Sequence, residues 1–161
     1  MIVSEEKKTI SWRSLLVLEG ITLGAGALNA LLTRGSMQVY QGLVKPSFAP
    51  SGWVFPVAWT ILFAMMAAGA WYVWREKRPG WKTALVLYAL QLAVNLAWPW
   101  VFFVMQAYGL AFVVLSLLWG LVIYTLLLFA CQSRTAGWLM VPYLLWTTFA
   151  GALNFAIARL N

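Results

Sequence analysis

Histidine and aspartate are absent from this chain of 161 residues, and its acidic residues are limited to four glutamates. Catalytic triads that use histidine, and ligation of zinc or haem by histidine, are therefore excluded. The acids are Glu5, Glu6, Glu19 and Glu76, so a catalytic pair of carboxylates would have to use Glu19. Because Cys131 is the single cysteine, the chain cannot form an internal disulfide.

Charge is scarce as well, since 9% of the residues are charged and 63% are hydrophobic. Four uncharged stretches have the length of about 20 residues that crosses a bilayer, and a fifth contains only Arg13 and Glu19. This pattern predicts an all-α integral membrane protein, a bundle of five transmembrane helices that forms a single domain over residues 1–161. The predicted helices span about 12–33, 53–75, 82–103, 108–130 and 136–158.

The basic residues lie near the ends of the predicted helices and divide unequally between the two sides of the membrane. Eight of the eleven share the side of the N-terminus: Lys7, Lys8, Arg13, Arg75, Lys77, Arg78, Lys82 and Arg134. The other side has Arg34, Lys45 and Arg159. In a bacterial cell membrane this split predicts a cytoplasmic N-terminus and an external C-terminus. The net charge of +7 is attributed to orientation and to anionic lipid headgroups, and no nucleic-acid partner is expected.

The longest predicted connection, about 34–52, then lies outside. It includes Pro46, Pro50 and Gly52, which do not continue a helix. A connection of this length between closely linked spans is a candidate lid.

The third predicted span has two contrasting faces. At about 100° per residue, Ala89, Ala93 and Ala97 form a stripe of small residues. The opposite face carries Gln91, Asn95, Trp98 and Phe102. Small stripes let membrane helices approach closely, either within a bundle or across a dimer, and Gly20 and Gly24 offer a competing stripe. Buried amides need partners, so Gln91 and Asn95 should face the interior of the bundle, where they either join helices or form a site.

Three tryptophans are expected to converge beneath the long connection. Trp59, Trp98 and Trp146 fall at similar depths on their helices, and Asn95 lies one turn from Trp98. An apolar, aromatic cavity with one amide suits a flat, largely hydrophobic ligand. Six other tryptophans are assigned to the belt at the membrane interface. They are Trp12, Trp53, Trp71, Trp74, Trp81 and Trp138.

Three ordered motifs resemble the translocator protein family, also called TspO or tryptophan-rich sensory protein. They are "YQGLVKPSFAPSGWVFPVAWTILF" from Tyr40, "QLAVNLAWPWVFF" from Gln91 and "VPYLLWTTFAGALNF" from Val141. The resemblance covers nearly the whole chain. It departs from the family at Phe48, where tryptophan is usual, and at Ser51, where a second proline is usual.

The resemblance implies a five-helix bundle, usually dimeric, that binds tetrapyrroles such as protoporphyrin IX. No cofactor is required, because the porphyrin is the ligand. The residues that it places at the ligand pocket are Tyr40, Trp59, Phe63, Asn95, Trp98, Trp146, Ala150 and Leu153.

The resemblance leaves three functions open. Bacterial members of the family are associated with light-dependent porphyrin degradation, for which Trp59 and Trp146 are the candidate photochemical residues. The second function is a carrier of porphyrins or sterol-like molecules, and the third is a sensor that acts through a partner protein. Glu19 stays outside the expected site and either reaches the cytoplasmic interface, pairs with a loop cation or serves as an intramembrane acid.

Overall fold

A computed structural model describes residues 12–161 and confirms the predicted bundle of five membrane-spanning helices. Lys7 and Lys8, which contribute to the predicted orientation, lie outside the described residues. The helices are α1 (Trp12–Leu32), α2 (Ser36–Gly42), α3 (Val54–Glu76), α4 (Trp81–Pro99), α5 (Tyr108–Gln132) and α6 (Arg134–Leu160). With the π-helical turn Trp100–Val104 counted as the end of the α4 span, each spanning helix begins and ends within two residues of its predicted bounds. Helix α2 is a short helix inside the long connection.

The helices pack in an order that differs from their order along the chain. Helix α1 packs mainly on α3, α3 packs on α6, and α6 packs along α5, which in turn contacts α4. Helices α3 and α4 meet less extensively, and α1 and α4 make little contact with each other. The bundle is therefore least tightly closed between α1 and α4.

Glycines in the left-handed conformation mark two of the turns between helices. Gly35 has φ 92° between α1 and α2, and Gly80 has φ 87° between α3 and α4. Glycine adopts this conformation without the steric cost that a Cβ atom brings. The first turn lies at what we call the α2 end of the bundle, and the second lies at the opposite end, the basic end. That the α2 end faces the outside stays a prediction from the charge distribution.

Helix α4 changes its geometry after Pro99. Proline has no N–H to donate into the helix, and the next five residues, Trp100–Val104, form a π-helical turn. The Met105 N–H donates to the Trp100 carbonyl at 2.9 Å, the five-residue spacing of a π-helix. This turn changes the direction of the side chains at the α2 end of α4.

The two faces of α4 have the environments that the sequence pattern predicts. Gln91 and Asn95 are buried in the bundle. Ala89, Ala93 and Ala97 are exposed on the outer surface, so they are not used for helix packing within one chain. Gly20 and Gly24 are exposed on α1, with open space where a Cβ atom would stand. Both stripes are available to a second copy of the chain.

The assignment of Trp71 to the interfacial belt is wrong in one respect, because its side chain is buried within the protein rather than exposed to lipid. It is 6% exposed, its ring lies 6.3 Å from that of Trp12, and its Nε1 donates to Ser14 Oγ at 3.1 Å. By contrast, Trp12 and Trp138 are each 63% exposed, as belt residues should be.

Glu19 lies in the half of α1 near the basic end, three residues before Thr22, which bonds to Tyr88 of α4. No basic side chain within residues 12–161 forms an ion pair with it, and its buried Oε2 has no hydrogen-bond partner in that range. Pairing with a loop cation, one of the expected explanations for this acid, is therefore not observed among the described residues.

We predict that Ala93→Leu weakens self-association if α4 forms the dimer seam. A leucine at the centre of the stripe would hold the two backbones apart and reduce the fraction of cross-linked dimer in detergent. Gly24→Leu is the matched substitution on α1. Loss of the dimer in Gly24→Leu, with Ala93→Leu unchanged, would contradict the α4 seam and assign it to α1.

Candidate functional site

Two neighbouring cavities lie inside the half of the bundle at the α2 end. The larger is a cleft of about 630 Å³ between α1, α3, α4 and the connection that contains α2. The smaller is a void of about 10 Å³ between α3, α4, α5 and α6. Binding sites for small molecules usually measure about 300–1,000 Å³, whereas a void of about 10–15 Å³ accommodates a single water. The cleft is therefore the cavity that can accept an organic ligand.

The cleft exists because α1 and α4 are joined at two separated points. Thr22 Oγ1 and the Tyr88 hydroxyl are hydrogen-bonded at 2.7 Å in the half of the bundle nearer the basic end. At the α2 end, Trp100 Nε1 donates to Asn29 Oδ1 at 2.8 Å. Apart from these bonds the two helices make little contact, and residues of both line the cleft.

The floor of the cleft depends on a glycine. A Cβ atom at Gly26 would overlap the ring of Phe63, so only glycine lets this ring lie directly against α1. Leu23 also lines the cleft at this depth. From Leu23 to Thr33, the wall formed by α1 is ~15 Å long at the helical rise of 1.5 Å per residue.

The wall between the cleft and the void consists of four side chains that line both cavities, namely Phe55, Trp59, Asn95 and Trp98. The Trp59 ring lies 5.5 Å from that of Phe63 in the cleft and 6.3 Å, edge to face, from that of Trp146 on the other side. Aromatic pairs at such distances stabilise the packing beyond the area that they bury. The wall is thus a packed aromatic layer that contains one amide.

Hydrogen bonds hold this wall against α6. Asn95 Nδ2 donates to the Tyr143 hydroxyl at 2.7 Å, and that hydroxyl donates to Gln91 Oε1 at 2.9 Å. Tyr143, Gln91 and Asn95 are all buried, which makes these bonds shielded from competing water. One tyrosine therefore fixes the positions of both amides of α4.

A second set of hydrogen bonds orients the tryptophan of the wall. Trp98 Nε1 donates to Asn154 Oδ1 at 3.0 Å, and Asn154 Nδ2 donates to the Tyr108 carbonyl at 2.9 Å. Because the indole N–H of Trp98 is used in this way, its ring presents only apolar surface to the cleft.

Trp146 lies behind the wall and lines the void. Its indole Nε1 is buried and has no hydrogen-bond partner within residues 12–161. Its ring packs 6.0 Å from that of Phe55 and 5.6 Å from that of Phe149. Trp146 therefore reaches the cleft only through the side chains of the wall.

The candidate lid is held by hydrogen bonds within the connection itself and by one residue at the end of α6. The buried Tyr40 donates its hydroxyl to the Pro50 carbonyl at 2.8 Å, and burial raises the pKa of this phenol, which keeps it protonated as a donor. Lys45 Nζ donates to the carbonyls of Tyr40, Gln41 and Leu43 at 2.9–3.0 Å. Asn161 bonds to both the N–H and the carbonyl of Val44 at 3.0 Å.

The side chains of the cleft offer aromatic surfaces on which a flat ligand can stack. The aromatic residues of the cleft are Tyr40, Phe55, Trp59, Phe63, Trp98 and Phe103. Within residues 12–161, no three His, Cys, Asp or Glu side chains are grouped so that they could hold a metal ion.

The sequence matches the family model described as "TspO/MBR family" over residues 18–160. The chain belongs to the TspO/MBR family. It is 40% identical to the tryptophan-rich protein TspO of Chlorobaculum tepidum, with 92% of this chain and 96% of the relative covered. It is also 40% identical to the protein CrtK of Rhodobacter capsulatus, with coverages of 85% and 86%. The translocator protein of Bos taurus is 39% identical, with coverages of 84% and 83%. With its five apolar helices, this member of the family is an integral membrane protein.

The residues expected at the ligand pocket divide between the two cavities. Tyr40 and Phe63 line the cleft alone, and Trp146 and Ala150 line the void alone. The other three that line a cavity, Trp59, Asn95 and Trp98, belong to the wall and face both. Leu153 is in neither lining and packs in a buried cluster with Tyr40 and Phe102.

Helix α1 contributes a wall of the cleft that was not predicted from the sequence. Gly26, Asn29 and Thr33 line the cleft, and they recur at intervals of three and four residues on one face of the helix. This spacing can be read from the sequence, but it indicates a ligand site less directly than the tryptophans of the other helices do. The role of Tyr143 was also missed, since an isolated tyrosine in a span does not indicate which amides it meets.

We predict that Tyr143→Phe destabilises the protein by about 1–2 kcal/mol. Hydrogen bonds between membrane helices average ~0.6 kcal/mol with a maximum of ~1.7, and this substitution removes two. The measurement is thermal or denaturant unfolding in detergent. Tyr124→Phe, on the exposed face of α5, is the control and should leave the stability unchanged. Equal stability of both variants and the parent protein would show that the buried hydroxyl holds nothing in place.

Proposed function

We propose that this protein binds a tetrapyrrole such as protoporphyrin IX in the cleft between α1, α3 and α4, with no further cofactor. The observation that carries the proposal is the cleft of about 630 Å³ with its aromatic walls. A tetrapyrrole is flat, largely apolar and too large for the neighbouring void. Membership of the TspO/MBR family supports this ligand class.

The geometry of the wall supports stacking of a flat ring. Trp59 and Trp98 belong to adjacent sides of the cleft and each is fixed by neighbours, Trp59 by Phe63 and Trp98 by Asn154. Side chains that are already ordered lose little conformational freedom when a ligand binds. Burial of an aromatic ligand against them also removes apolar surface from water or lipid headgroups.

We further propose that bound porphyrin is degraded under light, with dioxygen as the oxidant and Trp59 as the indole next to the ligand. Indole is oxidisable, so this chemistry needs no acid–base pair. Trp146 contacts Trp59 edge to face at 6.3 Å and acts from behind the wall. The effect of replacing Trp146 should therefore be smaller than that of replacing Trp59.

A carrier of porphyrins or sterol-like molecules is the second candidate. The gap between α1 and α4 favours it, because a ligand could pass sideways between these helices past the Asn29–Trp100 hydrogen bond. Some relatives are named translocator protein. A carrier without chemistry would bind porphyrin and leave its absorption under light equal to that of an inert binding control. Self-association into a homodimer is compatible with either function.

We predict that Trp98→Ala weakens protoporphyrin binding by about ten-fold or more. The loss of one aromatic stacking partner typically costs ~1–3 kcal/mol in nucleic-acid systems, at ~1.4 kcal/mol for each factor of ten. The measurement is a fluorescence or absorbance titration in detergent. Trp138→Ala removes an exposed ring of equal size from α6 and should leave the affinity unchanged. Equal losses in both variants would mean that the affinity comes from nonspecific partitioning.

We predict that Trp59→Phe slows the loss of the Soret band under light by about ten-fold or more, equivalent to ~1.4 kcal/mol in the barrier. Phenylalanine keeps an aromatic surface, so binding should largely survive. Trp146→Phe should slow the reaction less, and the double variant should show the slowest reaction. Trp138→Phe is the control. An unchanged rate in the double variant would rule out photochemistry by these indoles and leave the binding proposal intact.

A further inference from the structure

The cleft is amphipathic, with an apolar floor and a polar mouth. Leu23, Gly26 and Phe63 form the floor, whereas Asn29 and Arg34 line the mouth at the α2 end. A ligand that fits this distribution has a flat apolar body and polar groups along one edge.

Arg34 carries an uncompensated positive charge at this mouth. In the described part of the chain the acids are Glu19 and Glu76, and neither belongs to the α2 end. Within residues 12–161, Arg34 has no hydrogen bond and no ion pair, and its guanidinium offers five donors. Because Arg34 is exposed at the mouth, an anionic group of a bound ligand can reach its free donors.

The other two cations of this end are not available to a ligand in the cleft. The three protons of Lys45 Nζ are directed to three backbone carbonyls, which uses all the donors of an ammonium group. Arg159 stands in the last turn of α6 and is not part of the cleft lining. Among the cations of residues 12–161, Arg34 alone lines this cavity.

The remaining polar atoms of the mouth also favour an acceptor. Thr33 and Ser36 donate their hydroxyl hydrogens to backbone carbonyls. The oxygen of the Asn29 side chain accepts from Trp100 Nε1, which can only donate, so the amide orientation is fixed and Nδ2 remains as a donor. The side-chain donors that remain at the mouth are therefore the Arg34 guanidinium and Asn29 Nδ2.

We infer that Arg34 and Asn29 form a carboxylate subsite that binds an acidic side chain on one edge of the tetrapyrrole while its ring lies against Trp59 and Trp98. Arginine pairs with carboxylates in a planar, two-point geometry, and an amide N–H adds a further donor. The inference rests on the proposed function and specifies which ligands the site prefers. Tetrapyrroles with free propionate groups should bind better than their esters.

The test compares protoporphyrin IX with its dimethyl ester, titrated into the full chain in neutral detergent. The parent protein should prefer the free acid by about three- to five-fold, the scale of a partly exposed ion pair, and the preference should decline as salt is added. Arg34→Gln should bind both ligands with the affinity of the parent protein for the ester. Because the ester lacks the charge, its unchanged affinity also verifies that the variant is folded.

Two further variants sharpen the result. Asn29→Asp keeps an acceptor for Trp100 but replaces the donor by a carboxylate oxygen, so it should weaken binding of the free acid alone. Arg159→Gln removes a cation from the same end outside the cleft and should keep the preference of the parent protein. If Arg34→Lys prefers the free acid more than Arg34→Gln does, positive charge alone supports part of the preference without the two-point geometry of arginine.

Three outcomes would overturn the inference, and they differ in what they leave standing. Equal affinities of the parent protein for acid and ester would remove the subsite and leave tetrapyrrole binding in place. A preference that persists in Arg34→Gln, or that Arg159→Gln removes equally, would assign it to the general field of the membrane surface. Absence of binding of either ligand to the parent protein would remove the proposed function together with the subsite.

Discussion

The arrangement of the helices depends on buried amide side chains, which need hydrogen-bond partners within the protein because hydrocarbon offers none. Gln91 and Asn95 place two amides in a helix that otherwise crosses hydrocarbon, and the single hydroxyl of Tyr143 pairs with both. This pairing joins α4 to α6 across the centre of the bundle. Since unpaired amides in hydrocarbon are unfavourable, other arrangements of α4 that expose either amide are disfavoured. The aromatic wall of the site is built on this fixed face.

The same constraint explains why the opening of the bundle lies between α1 and α4. Helix α1 carries few polar groups, and two hydrogen bonds are observed between the described residues of α1 and the α4 span, Thr22 with Tyr88 and Asn29 with Trp100 of the π-helical turn. Between those points nothing polar draws the helices together, and Gly26 leaves room for the Phe63 ring rather than for a side chain of its own. The space left there forms the cleft, which of the two cavities described is the one large enough for an organic ligand.

Much of the fold could be predicted from the sequence, because length and hydrophobicity suffice to define spans in a chain with so few charges. Periodicity also placed Gln91 and Asn95 inside, as observed, but left open whether the opposite stripe with Ala93 packs within the bundle or across a dimer. Contacts between helices could not be predicted in this way, since they depend on the order of packing around the bundle. For that reason Trp71 was assigned to the lipid-facing belt although it is buried against α1, and the contribution of α1 to the site was not anticipated.

Convergence of the tryptophans at one depth was correctly expected, but depth alone does not distinguish the two sides of a wall. Trp59 and Trp98 face the cleft, whereas Trp146 faces a void that holds no more than a water-sized group. A ligand that touched Trp146 directly would have to displace Phe55 or Trp59, which pack against it edge to face. Phe55 also packs on Tyr40 of α2, and Trp59 also packs on Phe63 in the floor of the cleft. Displacing Phe55 would therefore disturb the contact with α2, and displacing Trp59 would disturb the floor. The wall therefore couples the connection above the site to the indoles within it.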